Sequence, residues 1–467
     1  MMRLQDAISR TTVELYEEIA NSGEGRIFRT SRNGYLAKIY HSVDQEKINK
    51  LWVMMKHPPI DPAASRGHTS IAWPNALLED DHGRCLGFLM PLIQDGQTLI
   101  NVYNPEMRKK NAAGFNWLYL HTTALNIATV LQALHAYNYV VGDLKPENLL
   151  VNAKGLVSII DTDSFQIIDP NTGKVYRSPV ASPEYTPHEM FGKDFQVVDR
   201  SEVQDRFGLA VIIWLLLFGY HPFSGKWVGI GDQSNPDERI RNGHWMYGST
   251  AMIRPGPSSM PLNILHPTLQ LYFRQCFDNG HSNPNSRPSA AAWVKALSSA
   301  KENLRNCSFE QEHYYSQNYG KCYWCERKQL LNNYDIFPST QSYRSSTPRV
   351  PSSTVNSPTP TPSRSFVNNK TRGQSLNKIS LNKIKLSKAK GNGFLKALSV
   401  IAQFSGNYIL PLAFNLLRSI LKLSVWLVRR HLLVTLSFLT ILIISISCWH
   451  DQVRQAQLRL NLKLNLT

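Results

Sequence analysis

An α+β chain of two lobes, trailed by a small metal-binding appendage, a disordered linker and a transmembrane helix, is what the 467 residues predict. Three observations carry the prediction. The first is Val141-Gly142-Asp143-Leu144-Lys145-Pro146-Glu147-Asn148, which sets a carboxylate, a lysine and an amide at the spacing D-x-K-x-x-N, with Asp161 18 residues beyond Asp143. The second is the strand pattern Leu36-Ala37-Lys38-Ile39, one lysine among apolar residues, ahead of a helical-looking segment from Asp44 to Met55. The third is Leu432 to Trp449, 18 residues without a charge. Phosphoryl transfer needs a base at the attacking hydroxyl, a cation near the phosphate and oxygen ligands for magnesium, and the first two stretches hold groups of each kind.

Taken in chain order, further segments fall around this pair. Ala20 to Ile27 is rich in small residues, with Ser22, Gly23 and Gly25 ahead of Ile27. Small residues let backbone approach a phosphate closely. Ile159-Ile160-Asp161-Thr162-Asp163, Ser182-Pro183-Glu184-Tyr185-Thr186-Pro187-His188-Glu189, Asp205 at the head of an apolar run through Phe218, and Ser286-Arg287-Pro288 follow. In this order the segments resemble the eukaryotic-type protein kinases, whose catalytic loop reads H-R-D-L-x-x-x-N and whose later marks are D-F-G and A-P-E. The resemblance implies a bilobal protein kinase fold. It also implies roles: Lys38 holds the ATP phosphates with Glu46 as its ion-pair partner, and Ser22, Gly23, Gly25 and Ile27 form the phosphate-covering loop. Asn148 and Asp161 hold Mg2+ or Mn2+, Asp143 accepts the substrate hydroxyl's proton, and Lys145 offsets charge on the transferring group. Glu189, Asp205 and Arg287 are structural in this scheme, Asp205 bracing the catalytic loop and Arg287 pairing with Glu189.

This chain departs from the pattern in three places. Of the glycine-rich loop only the last glycine survives, Gly25, with Ala20 and Ser22 at the other positions. D-F-G has become Asp161-Thr162-Asp163, so the phenylalanine switch is lost. The added carboxylate of Asp163 is either a second metal ligand or a solvent-facing group, the latter being favoured. The arginine before the catalytic aspartate is Gly142, which removes the usual partner of a phosphorylated activation loop.

The phrases Val140-Val141-Gly142-Asp143, Asp161-Thr162-Asp163-Ser164-Phe165-Gln166, Pro183-Glu184-Tyr185-Thr186-Pro187 and His221-Pro222-Phe223 are similar to a bacterial kinase-like subfamily with a Cys-rich C-terminal appendage. Such proteins are associated with metal-dependent phosphatases and von Willebrand-type proteins, which that likeness implies as partners beside a protein substrate. An appendage is present: Cys307, His313, Cys322 and Cys325 place a C-x-x-C turn after an upstream Cys and His, a donor set for tetrahedral Zn2+. A redox pair or unligated thiols are the alternatives. Cys85 and Cys276 sit in apolar company and read as packing residues. Six scattered cysteines and no apolar leader after Met1 suggest a reducing compartment.

The net charge of +17 comes from residues 336–467, which hold 18 Lys+Arg and one acidic residue, Asp451, while residues 1–335 hold 33 of each sign. A nucleic-acid partner for the whole chain is therefore ranked well behind. Residues 338–375 are rich in Ser, Thr, Pro and Asn, and read as a linker. A basic run from Lys378 to Lys396 precedes strongly apolar sequence, which favours anionic membrane lipids over RNA. Leu432 to Trp449 would span about 27 Å as a helix, close to the roughly 30 Å hydrocarbon thickness. Arg429 and Arg430 on its N-terminal side place the preceding chain in the cytoplasm. Tyr408 to Val428, broken by Arg418 and Lys422, reads as an interfacial helix rather than a second span.

The expected domains are a protein kinase domain over 1–300, a zinc-binding appendage over 301–335 and a disordered linker over 336–395. An amphipathic juxtamembrane segment (396–430), a transmembrane helix (431–449) and a short tail (450–467) follow. The function expected is a membrane-tethered serine/threonine protein kinase facing the cytoplasm. The alternative is an ATP-binding pseudokinase scaffold for a phosphatase or signalling partner.

Overall fold

The computed structural model of the chain describes residues 2–231 and 235–339. The N-terminal lobe is built on six strands: β1 (Met2–Asp6), β2 (Thr12–Asn21), β3 (Gly25–Thr30), β4 (Tyr35–Tyr40), β5 (Ala76–Glu79) and β6 (Cys85–Pro91). All pairings are antiparallel, and β1 bonds both β2 and β5, so the sheet closes into a barrel in the order β1-β2-β3-β4-β6-β5. Alternation along these strands sends Leu4, Val13, Leu15, Phe28, Ala37, Ile39, Leu78 and Leu89 into one small core. Helix α1 (Gln45–Lys56) starts where Asp44 accepts from the Lys47 N–H at 2.7 Å and lies within a residue of the segment its sequence predicts.

The C-terminal lobe is helical. Helix α2 (Trp117–His135) is capped by Asn116, and α3 (Glu202–Phe218) opens on a Ser201/Gln204 capping box. Every residue of α3 from Phe207 to Phe218 is buried, which is why its sequence is apolar all round rather than on one face. Helix α4 (Ala290–Glu302) packs along α2. A small sheet formed by β7 (Gln97–Thr98), β8 (Leu149–Val151) and β9 (Val157–Ile159) sets Asn148 just before β8 and Asp161 just after β9.

Two boundaries differ from those expected. Helix α4 runs past residue 300, to Glu302, and the appendage does not end at 335. Ile336 and Phe337 are buried: Phe337 meets Trp324 edge-to-face with ring centroids 4.7 Å apart, and the Arg108 guanidinium lies 4.7 Å from the Phe337 ring. Two large apolar side chains found a surface to bury against, so the start of the expected disordered linker is folded. Among the described residues no helix is long and apolar enough to cross a membrane. The expected span over 431–449, the juxtamembrane segment and most of the linker lie outside the described residues.

Candidate active site

An open cleft runs between the lobes, lined by Ser22, Gly23, Glu24, Glu46 and Lys50 of α1, Asp143, Lys145, Asp161 and Asp163. Its floor is the catalytic loop, and α3 fixes that loop. Asp205 is buried on the first turn of α3 and accepts from the N–H groups of Val141 (2.8 Å) and Gly142 (2.9 Å). Its Oδ2 also meets His135 Nε2 at 3.0 Å. The two amides that precede Asp143 are thereby held by one carboxylate, as the sequence suggested.

Asp143 itself is buried. Its Oδ2 accepts from Lys145 Nζ at 2.5 Å, while Oδ1 has no hydrogen-bond partner among the described residues. Asn148 donates through Nδ2 to the Asp143 carbonyl at 3.2 Å, which leaves its Oδ1 as the atom able to take a metal. Asp161 follows β9 in a left-handed conformation with φ of 60°, a strain on the order of 1–3 kcal/mol for a residue that is not glycine. Ser164 Oγ, donating to the Asp161 carbonyl at 2.7 Å, helps hold it there. Thr162 is buried where a phenylalanine was expected, and its hydroxyl donates to the Ala72 carbonyl at 2.8 Å.

The roof is Lys38 on β4. Its ammonium donates to Glu24 Oε2 (2.9 Å), Asp161 Oδ1 (2.9 Å) and both oxygens of Asp163 (2.9 and 2.7 Å). Burial alone would lower the Lys38 pKa, but Asp163, Asp161 and Glu24 outweigh it and raise it well above the usual lysine range. Burial pushes Glu24 up, yet Lys38 and Lys47 override that and hold it down to about 2. Burial and then the neighbouring Asp163 charge push Asp161 up. Glu24, Asp161 and Asp163 bring carboxylate oxygens within 4.8 Å of one another, a set that could hold a metal ion.

Two sequence assignments change here. Glu46, expected to pair with Lys38, is 64% exposed and its only charged neighbour among the described residues is Lys174 at 3.7 Å. The reason lies in position along the helix: Glu46 and Lys50 share one side of α1, but Glu46 is in the exposed first turn at the cleft rim, and the residue that α1 buries against the site is Lys50, one turn later. Asp163 does not face solvent; it is buried and bonded to Lys38, with Tyr40 Oη donating to its Oδ2 at 2.7 Å. Gly25 also has a different reason to be glycine. It sits in β3 opposite Tyr40, where a Cβ would come within 2.5 Å of the Ile39 carbonyl oxygen. The turn at Ser22, Gly23 and Glu24 therefore forms the cleft rim, with Ile27 half-buried opposite Lys38 in the register.

Residues 80–296 match the protein kinase domain family. Over 320 residues the chain is 32% identical to the protein kinase YegI of Escherichia coli strain K12, covering 67% of this chain and 48% of that protein. This domain belongs to the protein kinase family. The chain is also 31% identical over 317 residues to the protein kinase YegI of E. coli O157:H7, covering 66% and 48%. A shorter likeness, 30% over 100 residues, links 21% of it to 24% of the serine/threonine-protein kinase GRIK1 of Arabidopsis thaliana. The chain thus spans about half the length of the bacterial relatives it matches. Lys38 lies before the matched span, so its place in the kinase domain rests on the geometry above.

Reading the sequence alone missed how the kinase domain orders its activation segment. Arg200 is buried and donates to the carbonyls of Gly142 (2.6 Å), Ser178 (2.7 Å) and Val180 (2.6 Å). Its backbone exchanges two bonds with the Gln166 side chain. An arginine thus meets the catalytic loop from the segment side, through main-chain acceptors, with no phosphate involved. Beyond this segment Arg287 forks onto Glu189 at 2.7 and 2.9 Å, as expected.

The appendage consists of a hairpin (Leu304–Asn306 with Tyr314–Ser316) and helix α5 (Tyr323–Leu330). It brings Cys307, His313, Cys322 and Cys325 together with all four donor atoms within 4.8 Å, an arrangement that could hold a metal ion. A tetrahedral site with metal–sulfur bonds of about 2.3 Å and metal–nitrogen bonds of about 2.0–2.1 Å has S···S edges near 3.8 Å and S···N edges near 3.5 Å. The observed edges are 3.6 Å for Cys307–Cys325, 3.7 Å for Cys322 to His313 Nδ1 and 3.5 Å for Cys325 to His313 Nδ1. His313 Nε2 points instead at Asp335, at 3.1 and 3.2 Å, the carboxylate support usual behind a ligating imidazole. Asp335 lies outside any C-x-x-C pattern, so only the fold reveals it.

Proposed function

We propose that the chain is a serine/threonine protein kinase whose Asp143 accepts the proton of a substrate hydroxyl while Lys38 aligns ATP. One observation carries this reading. Lys38, Asp143, Lys145, Asn148 and Asp161, all five groups that phosphoryl transfer needs, are retained, and the fold gathers them at one cleft. Asp143 lines the cleft with a buried Oδ1 that has no hydrogen-bond partner among the described residues, which leaves it as the oxygen to take a hydroxyl proton, and Lys145, pinned to Oδ2, keeps the carboxylate oriented and sets a cation beside the path of the phosphoryl group. Asn148 and Asp161 would hold Mg2+, which when bound offsets the phosphate charge. Lys145, two residues after the base, favours Ser/Thr over Tyr substrates by resemblance. The test is transfer from labelled ATP by the full chain to a generic protein, followed by phosphoamino-acid analysis. Label on Ser or Thr supports the proposal; label on Tyr alone refutes the specificity.

A second reading is an ATP-binding scaffold. What favours it is the enclosure of Lys38 by three carboxylates with a second buried cation, Lys50, nearby. Metal-dependent ATP binding without turnover on any protein would select it.

The Cys3His cluster fits Zn2+ in a closed structural site, with Cys307, His313, Cys322 and Cys325 as ligands and Asp335 behind His313. The uncharged run over 431–449 supports a membrane tether with the kinase domain on the cytoplasmic side. Full-length chain is expected to stay in the membrane fraction through an alkaline carbonate wash; recovery in the soluble fraction would remove the tether.

A further inference from the structure

In protein kinases the strand lysine must be held by a glutamate from the adjacent helix for transfer to proceed. Here the glutamate of that helix, Glu46, does not meet Lys38 but lies exposed beside Lys174. The inward side of α1 carries Lys50, whose burial pulls its pKa down to about 8 and whose Nζ donates to the Asp163 carbonyl oxygen at 2.7 Å. The carboxylate facing Lys38 comes from Asp163, whose side chain is 2% exposed against 4% for Lys38. Tyr40 Oη supplies a third donor to the same residue.

The other two carboxylates on Lys38 are of a different kind. The Asp161 and Glu24 side chains are 37% and 38% exposed, at the cleft surface, where each can exchange Lys38 for a metal or solvent. Asp163 has no such freedom, because solvent does not reach it and three donors hold it. We propose that Asp163 is the positioning residue for Lys38, taking over the part of the helix glutamate, and that Lys50 anchors the Asp163 main chain in exchange. The inference rests on the phosphotransferase reading of the cleft. It implies that charge at this contact has been exchanged: the acid has moved from the helix to the turn after the metal-binding aspartate, and the base has moved to the helix. Asp161 and Asp163 share one short turn, Thr162–Ser164 and its cap, so the alignment of Lys38 is tied to the metal ligand rather than to α1.

The experiment compares full-length Asp163→Asn, Asp163→Gly, Lys50→Glu and the double variant Asp163→Gly/Lys50→Glu, with Glu46→Gln as control. Readouts are kcat, KM for ATP, the Mg2+ concentration at half-maximal rate, and affinity for a fluorescent ATP analogue. Loss of alignment is expected to lower kcat by about 10²-fold in Asp163→Asn, the scale of a 1 Å misplacement. The Mg2+ half-saturation should not move. Restoring the acid from the helix should make the double variant at least about 10-fold faster than Asp163→Gly alone, whereas Glu46→Gln should stay within about two-fold of the parent. The proposal is overturned if Asp163→Asn keeps its rate, if added Mg2+ recovers the loss (a metal-ligand role), or if the double variant is no better than the single. Should Asp163→Asn fail to fold, the comparison of the Gly single with the double decides. If the parent binds nucleotide but transfers none, the proposed activity fails, and the same comparison read as nucleotide affinity still tests Asp163.

Discussion

Asp143→Asn is expected to lower phosphate transfer by about 10²–10⁴-fold while ATP affinity and the thermal midpoint stay near those of the parent. The substitution is nearly isosteric, and the loop that carries it is held from elsewhere. Asp205 bonds the two preceding amides, Asn148 bonds the Asp143 carbonyl, and Arg200 bonds the Gly142 carbonyl. What changes is the carboxylate itself, including the buried Oδ1 that has no hydrogen-bond partner among the described residues. An amide there cannot take a proton, and Lys145 loses the anion it pairs with at Oδ2. Single-turnover transfer and an ATP titration on the same sample separate the two effects. Undiminished transfer by the variant would remove Asp143 from the mechanism.

The second large effect belongs to the appendage. A purified chain is expected to contain one zinc per molecule by elemental analysis, and Cys325→Ser to lose it. Structural zinc in finger peptides is worth about 10–16 kcal/mol, as much as the whole stability of an ordinary domain. The hairpin strands and α5 are short elements of three and eight residues, so the metal is expected to hold them. Their unfolding would also expose the seam where Trp324 meets Trp117 at 5.0 Å and Glu312 accepts from Asn116 at 2.9 Å. Tryptophan fluorescence and the protease sensitivity of residues 303–337 follow that loss directly. Asp335→Asn should weaken zinc binding by about 10–100-fold without changing the one-to-one content at saturating metal. A chain that carries no zinc, and that Cys325→Ser leaves unchanged in protease resistance, would rule the site out.

These cases show what sequence alone makes legible. Asp143, Lys145 and Asn148 lie within six residues, and their spacing is itself the geometry of a loop, so the catalytic floor was readable. Asp205, Glu189 and Arg287 drew notice because their neighbours are distinctive; in the fold Asp205 bonds the Val141 amide and Arg287 bonds Glu189. The roof was different. Lys38 was recognised, but its partners Glu24, Asp161 and Asp163 come from two loops as much as 125 residues away, and Glu46 and Lys50 share one side of α1, so only the packing along the helix decides which of them is buried at the site. A pattern with one glutamate near the right place was enough to mislead. Arg200 and Asp335 carry no local signature, because each acts on groups brought near only by folding. The barrel closure by β1 was equally hidden, since a strand's second neighbour is a matter of topology and not of its own residues.

The contact between Arg200 and the loop also limits what residue 142 can be. Gly142 occupies the place of the usual H-R-D arginine with φ of 74°, and a Cβ there would lie 2.7 Å from Ser178 Oγ and 2.8 Å from an Arg200 nitrogen. A larger residue would be strained at that φ and would need the Ser178 and Arg200 side chains to shift, loosening the bond by which Arg200 holds the Gly142 carbonyl. Position 142 and the Arg200 contact thus behave as one unit, and a change at either is felt at the other.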